Sequence, residues 1–455
     1  MSRQMLPIFP YLCILKRYAM RFFPALALLL CLNTACAQPP ARFDTLPSDH
    51  LLVKDASVRK YYHIAPEAVY LYADSVAKSQ GRPEAAIYAD EAERFAALFR
   101  RLPLDSVVKI YQAKGVKRWP SDTFLIPAAP PKALPDSLRP LAGLRIALDP
   151  GHVAGDFEGA KTEGKYVEMK ASARSGNQPI QFWEANLTLA TAFLIRERLE
   201  ALGATVYMTR TQPGIGALGL SYAEWKKTLL DSALREDLRL KKITEAQIRS
   251  WSTHPEADKI YYARLYNPRD LRARANLINA FQPDLTLIIH YNVDEPNWRK
   301  AVNGIMSPSE SNYCMAFVPG SLTKGELIEP EARVTLLRML LSEDVPQSLA
   351  LSEAFISASV EKTGVPVVSE PNNLPYLSQS CLYAGTPGVY ARNLSLNRLV
   401  AGPLCYGESL CQDHRAESLA LNRQEMTVAG MAAPARIEVV AEAYVEAVLR
   451  FVAGK

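Results

Sequence analysis

The chain has 455 residues, of which 49% are hydrophobic and 22% charged, with seven cysteines and a formal net charge of +5. That composition excludes a disordered or fibrous protein and leaves room for one large domain and a smaller one. Four of the basic residues and no acidic residue lie in positions 1–37, which leaves +1 for the remainder and no electrostatic argument for nucleic acid or an anionic membrane.

Residues 1–37 read as a secretory signal. Arg3, Lys16, Arg17 and Arg21 precede the apolar run Phe22 to Leu32, and Ala35-Cys36-Ala37 supplies a small-residue cleavage site. The apolar run is too short for a spanning helix. Export to a periplasm or cell envelope is therefore expected. Cys36 leaves a lipoprotein anchor open as the alternative to simple cleavage, although Asn33 stands where such signals usually carry an aliphatic residue. In an oxidising compartment Cys314, Cys381, Cys405 and Cys411 could form up to two disulfides, and their spacing carries no C-x-x-C pattern.

Residues 38–123 show helical periodicity at 65–77 and 83–101, which predicts a small helical N-terminal region of unassigned role. The stretch 124–143 holds Pro127, Pro130, Pro131, Pro135 and Pro140 and is expected to be an extended linker. Beyond it, 144–455, the pattern alternates. Strands are predicted at 144–148, 204–209, 285–292, 313–318, 365–368 and 404–406, and helices at 184–202, 271–281, 346–362 and 436–452, with a polar, helix-forming insertion at about 221–270. Strands alternating with helices predict an α/β fold, a mostly parallel sheet flanked by helices on both faces.

In such sheets ligands bind beyond the carboxyl ends of the strands. His152 follows the first strand behind Pro150-Gly151, and His290 lies near the end of a later one, so two histidines far apart in sequence are placed at one rim. Glu184 opens the helix after the first strand and reaches that rim only if the long polar segment 153–183 doubles back. Two imidazoles and a carboxylate with an open fourth position make a catalytic zinc site.

The words Asp149-Pro150-Gly151-His152, Glu184-Ala185-Asn186-Leu187, 202–210, 271–276 and 287–292 occur in the order and strand context of the zinc-dependent N-acetylmuramoyl-L-alanine amidases, which the chain resembles over about 144–452. The resemblance implies Zn2+ held by His152, Glu184 and His290, peptidoglycan as partner, and hydrolysis of the amide between muramic acid and the stem-peptide L-alanine. It also implies a catalytic glutamate near the C-terminal end. Glu408 is the best match, with Glu370 as competitor and Asp413 and His414 as residues that could orient Glu408. Tyr291, Asn292, Arg392 and Asn393 are the candidate substrate contacts; His50, His63 and His254 have no partner pattern. Val153-Ala154 replaces the glycine pair usual after the first histidine, and the insertions at 212–270 and 319–348 could restrict access, recognise a stem peptide or bind a regulator. Two other readings remain open at this point: a wall-binding protein that keeps the fold without catalysis, and a zinc amidohydrolase with another exported substrate.

Overall fold

The computed structural model describes residues 43, 49–126, 136, 138–302, 304–368 and 374–454. The leader with Cys36, half of the proline-rich stretch and Glu370 lie outside the described residues. Among the described residues no helix is long and apolar enough to cross a membrane.

The N-terminal elements mix strand and helix. An antiparallel sheet of β1 (Tyr62–Ala65), β2 (Ala68–Leu71) and β3 (Ala85–Tyr88) precedes helices Ala92–Arg101 and Leu104–Lys114. Of the helices expected at 65–77 and 83–101, the second forms only from Ala92 onward and the first is confined to Ser75–Ser79. Pro66 and Glu67 instead make the tight connection of a hairpin, and the Tyr-, Val- and Ile-bearing segments beside it pair as strands. This part is not insulated from the rest. Val69, Ile87, Phe95 and Phe99 share one apolar core with Ile146, Leu287 and Val448, and Arg333 from the later chain pairs with Glu84 at 2.7 Å.

The main sheet has seven strands. After β4 (Arg145–Pro150) and the separate antiparallel hairpin of β5 (Tyr166–Met169) and β6 (Ile180–Trp183) come β7 (Thr205–Met208), β8 (Leu285–Asn292), β9 (Met315–Val318), β10 (Cys381–Tyr383), β11 (Val389–Arg392) and β12 (Leu404–Cys411); β13 (Met426–Val428) and β14 (Met431–Ala433) form a further hairpin. The spatial order is β10-β11-β9-β12-β8-β4-β7. β12, β8, β4 and β7 run parallel, β9 runs antiparallel to β12 and parallel to β11, and β10 is an antiparallel edge. β4 and β8 are interior strands buried on both faces, which is why they read as near-continuous apolar runs.

Helix Glu184–Ala201 carries the chain outward from β4 to β7, and Asn267–Phe281 carries it back from β7 to β8. Right-handed crossovers in opposite directions place these two helices on opposite faces. Asp344–Thr363 lies on β9 and β12, and Arg436–Ala453 packs against both Asp344–Thr363 and Glu184–Ala201. The predicted strand at 365–368 reduces to a single bridge between Val367 and Cys314, because Pro366 has no N–H to extend a ladder. The four cysteines in question are all free and buried, and burial pushes the Cys314 and Cys405 thiols up to about 12. They act as small core hydrophobes, and neither of the two disulfides that they could form is present.

The 212–270 insertion folds into helices Tyr222–Arg239, Glu245–Ser252 and Ala257–Tyr261, then a π-helical turn, Tyr262–Tyr266, that runs into Asn267–Phe281. Ser221 and Glu224 form a capping box at its start. Trp225, Ala233, Tyr261, Leu265 and Tyr266 give it a small core of its own, which Val153 joins.

The turn after β4 is fixed by two buried guanidinium groups. Arg274 donates to both oxygens of Asp149 at 3.2 Å, to Asp270 at 2.7 Å, and to the carbonyls of Pro150 and His152 at 2.7 and 2.8 Å. Arg210 donates to the carbonyls of Pro150, Gly151 and Ala185 at 3.1, 2.9 and 2.8 Å. Burial works against the charge of Arg274, yet Asp149 and Asp270 outweigh it and hold its pKa above the ordinary value. Arg274→Met strands two buried carboxylates and should cost about 3–5 kcal/mol in urea unfolding. Arg249→Met, which breaks the exposed pair with Glu245, should cost at most about 1 kcal/mol; equal losses would refute this account of the turn.

Candidate metal centre

β4 and β8 are neighbours, so their C-terminal ends bring His152 and His290 together, with ring centroids 4.8 Å apart and planes at 88°. His152 adopts φ 63°, a left-handed conformation that is uncommon for a histidine and turns its side chain over the sheet rim. Gly151 is required by the same packing, since a Cβ there would sit 2.3 Å from Cε1 of His290. On its other flank the His290 ring stacks on Tyr406, with centroids 4.5 Å apart and planes at 7°.

Glu184 reaches the rim because 153–183 does double back. Helix Phe157–Glu163 and the β5–β6 hairpin return the chain, and Trp183 of β6 leads directly into Glu184, the first residue of its helix. One carboxylate oxygen accepts from the Tyr291 N–H at 3.1 Å and lies 3.0 Å from Nδ1 of His290. The other accepts from Gln412 at 3.2 Å and lies 3.2 Å from Nε2 of His152. Burial opposes its charge, but His152 foremost, with His290, depresses its pKa well below the usual range. The donor atoms of His152, Glu184 and His290 all lie within 4.8 Å of one another. Nε2 of His152 is buried, close to Glu184, yet has no properly angled hydrogen bond among the described residues.

β12 is eight residues long, against the three predicted. Its outer half, with Glu408 and Ser409, is polar enough to read as loop, yet it pairs with both neighbours. Glu408 stands opposite His290 in the parallel register with β8. It lines a cleft of about 450 Å³ with His152, Glu184, His290, Tyr406, Asn292 and Arg392. Burial, then the charge of Glu184, pushes its pKa up to about 8.

Of the candidate substrate contacts, Asn292 and Arg392 line the cleft. Asn292 uses Oδ1 on the Val293 N–H at 2.8 Å, and its Nδ2 is buried without a partner among the described residues. Asn393 is not among the lining residues; its Oδ1 accepts from Arg398 at 2.9 Å. The Tyr291 hydroxyl is in the core, 2.7 Å from Thr191.

Three residues of this centre carry no recognisable sequence word: Tyr406, Gln412 and Glu163. Glu163 ends helix Phe157–Glu163, and its carboxylate lies 3.0 Å from Nδ1 of His152. Burial opposes its charge, but His152 draws its pKa down to about 2.

Residues 146–313 match a family model described as Amidase_3: N-acetylmuramoyl-L-alanine amidase. Over that segment the chain belongs to the N-acetylmuramoyl-L-alanine amidases. Zinc is a general feature of this amidase family. No curated protein matches the chain. Among solved structures it is similar to the CwlD amidase from Clostridioides difficile in complex with the GerS lipoprotein, at 15% identity over 69% of this chain and 100% of that one, with a TM-score of 0.36. Similar too are the N-acetylmuramyl-L-alanine amidase Ami1 from Mycobacterium smegmatis, at 14% identity over 69% and 99% with a TM-score of 0.35, and the catalytic domain of CwlV from Bacillus (Paenibacillus) polymyxa var. colistinus, at 12% over 67% and 96% with a TM-score of 0.33.

Beside the amidase cleft, Asp413 fastens a loop and is not turned to Glu408. Its carboxylate accepts from the Asp294 N–H at 2.9 Å and the Asn297 side chain at 2.7 Å. Burial, aided by the Asp294 charge, raises its pKa to about 6. A carboxyl with a raised folded pKa costs stability when ionised, above about pH 6, and that cost is gone by about pH 4. The wild-type chain should therefore gain stability relative to Asp413→Asn as the pH falls across that window. A pH-independent difference between their urea midpoints would refute the assignment.

Proposed function

We propose that this amidase is an exported zinc hydrolase that cleaves the amide between the lactyl group of N-acetylmuramic acid and the L-alanine of the peptidoglycan stem peptide. The observation that carries the reading is the convergence of two imidazoles and one carboxylate, with Nε2 of His152 buried and lacking a properly angled hydrogen bond among the described residues. A two-nitrogen, one-oxygen donor set with a side open to a cleft suits a catalytic zinc ion better than a closed structural one. His152, Glu184 and His290 would hold it. When bound, zinc supplies a Lewis acid that acidifies water and polarises the scissile carbonyl.

The remaining work falls to the chain's own groups. Glu408, facing the cleft beside His290, takes a proton from the attacking water and delivers it to the departing L-alanine nitrogen. A carboxyl whose pKa lies near neutrality can take the proton as the carboxylate and release it as the acid, which suits both halves of that transfer. Tyr406 stacks on His290 and fixes the ring, and Gln412 fixes the Glu184 carboxylate from behind. Asn292 and Arg392 offer a donor amide and a guanidinium to the acyl and carboxylate groups of a muramoyl peptide. Export rests on the leader pattern of 1–37, with Cys36 as the lipid-bearing alternative.

The test uses purified full-length chain loaded with zinc and digested against peptidoglycan sacculi. One zinc per chain and release of free stem peptides with an L-alanine N-terminus, seen by mass spectrometry, are expected. His152→Ala and His290→Ala should lose both. Glu408→Gln should keep the zinc and lose about 10²–10⁴-fold in rate. Undiminished digestion by either histidine variant would sink the reading, and acyl or peptide products without free L-alanine termini would redirect it to another substrate.

A further inference from the structure

We infer that Glu163 and Tyr262 are positioning residues of the metal centre, Glu163 setting the orientation and tautomer of His152 and Tyr262, contributed by the 212–270 insertion, setting Glu163. The inference rests on the zinc reading above and extends it outward by two layers.

Glu163 is the last residue of its helix, and Gly164, at φ 76°, ends that helix and turns the chain away. Its side chain is 4% exposed and its two oxygens are fully engaged. One is 3.0 Å from Nδ1 of His152 and accepts from the Tyr262 hydroxyl at 2.6 Å. The other accepts from the backbone N–H groups of Val153 and Ala154 at 3.2 and 3.1 Å. A carboxylate can only accept, so Nδ1 of His152 is the atom that carries a proton. With Nδ1 committed to Glu163, Nε2 is the nitrogen that would offer its lone pair to a metal, and it is aimed at Glu184 and otherwise without a partner among the described residues. Partners of this kind fix a ligating histidine's ring and raise its basicity.

The residues that replace a glycine pair after the histidine acquire a reason here. Val153 and Ala154 present their N–H groups to Glu163, and the Val153 side chain packs into the insertion's core. Tyr262 is held by Tyr222 and Tyr266, with ring centroids at 5.4 and 5.3 Å, and by the π-helical turn that begins with it. π-Turns inside helices are frequent at functional sites. The insertion therefore reaches the metal centre through one hydroxyl.

Zinc affinity, measured by competition with a chelating indicator on the full-length chain, tests this without reading activity. Glu163→Ala should weaken zinc binding by about 10–100-fold, and Tyr262→Phe, which removes one oxygen and leaves the packing, by a smaller factor. Since Tyr262 acts through Glu163, Tyr262→Phe added to Glu163→Ala should cause no further loss. Unchanged affinity in Glu163→Ala, or a Tyr262→Phe effect that persists undiminished in the Glu163→Ala background, would overturn the inference while the zinc reading stands. Absence of zinc binding by the wild-type chain would overturn both. If Glu163→Ala does not fold, wild-type affinity in the conservative Tyr262→Phe variant would overturn it.

Discussion

The structure depends on the hold that Arg210 and Arg274 take on three successive carbonyls, those of Pro150, Gly151 and His152. A strand that stops at the centre of a sheet leaves backbone acceptors buried with no ladder partner, and each would cost free energy if left unmade. Two guanidinium groups satisfy them, and Asp149 and Asp270 offset the charge of Arg274. Only with this turn immobile can His152 keep φ 63° and Gly151 lie close enough to His290 to exclude even a methyl group. The two arginines come from β7's end and from the helix before β8, so the turn is assembled by the elements that flank it on both sides.

Glu184 illustrates a second constraint. A direct crossover from β4 would start the next helix at the far end of the sheet, away from both histidines. The chain avoids this by spending the segment 153–183 on a short helix and a hairpin, so that the helix start returns to the histidine rim. The detour also delivers Glu163 to the back of His152. A loop that looks like an excursion in sequence is thus the element that closes the site from two directions.

Much of this was legible from residues alone. β4, β8 and the helix opening at Glu184 lie in the interior, where burial on both faces or along one stripe writes a continuous or periodic apolar signal, and the histidines sit at the ends of those signals. The arginines were visible only as parts of family words, since nothing local says that Arg274 will meet Asp149 across the fold. β12 was under-read because its outer half is polar: Glu408 and Ser409 face a cleft and a helix pair, so hydropathy describes the site and not the strand. The N-terminal strands were lost to a period-3.6 reading of segments only four residues long, where Pro66 was the better guide. Glu163 has no motif at all, because its partners are one side chain, two backbone amides and a tyrosine about a hundred positions away.

The carboxylates around the centre show how one rim makes different acids out of the same functional group. Glu184, between two imidazoles and under a backbone N–H, is stabilised as an anion and suited to ligation. Glu408, on β12, is part-buried; desolvation, then the charge of Glu184, outweighs Lys165, Arg392 and His152, and its pKa moves the other way, to about 8. A difference in environment of this sign separates a ligand from a proton acceptor without any change of residue type. The parallel register that sets Glu408 opposite His290 makes the separation possible, because it holds the second carboxylate beside the cleft while leaving the first closer to both histidines. The sheet order β12-β8-β4 therefore supplies the proton acceptor, one histidine and the other histidine in sequence across the rim, with Glu184 folded back over the last two.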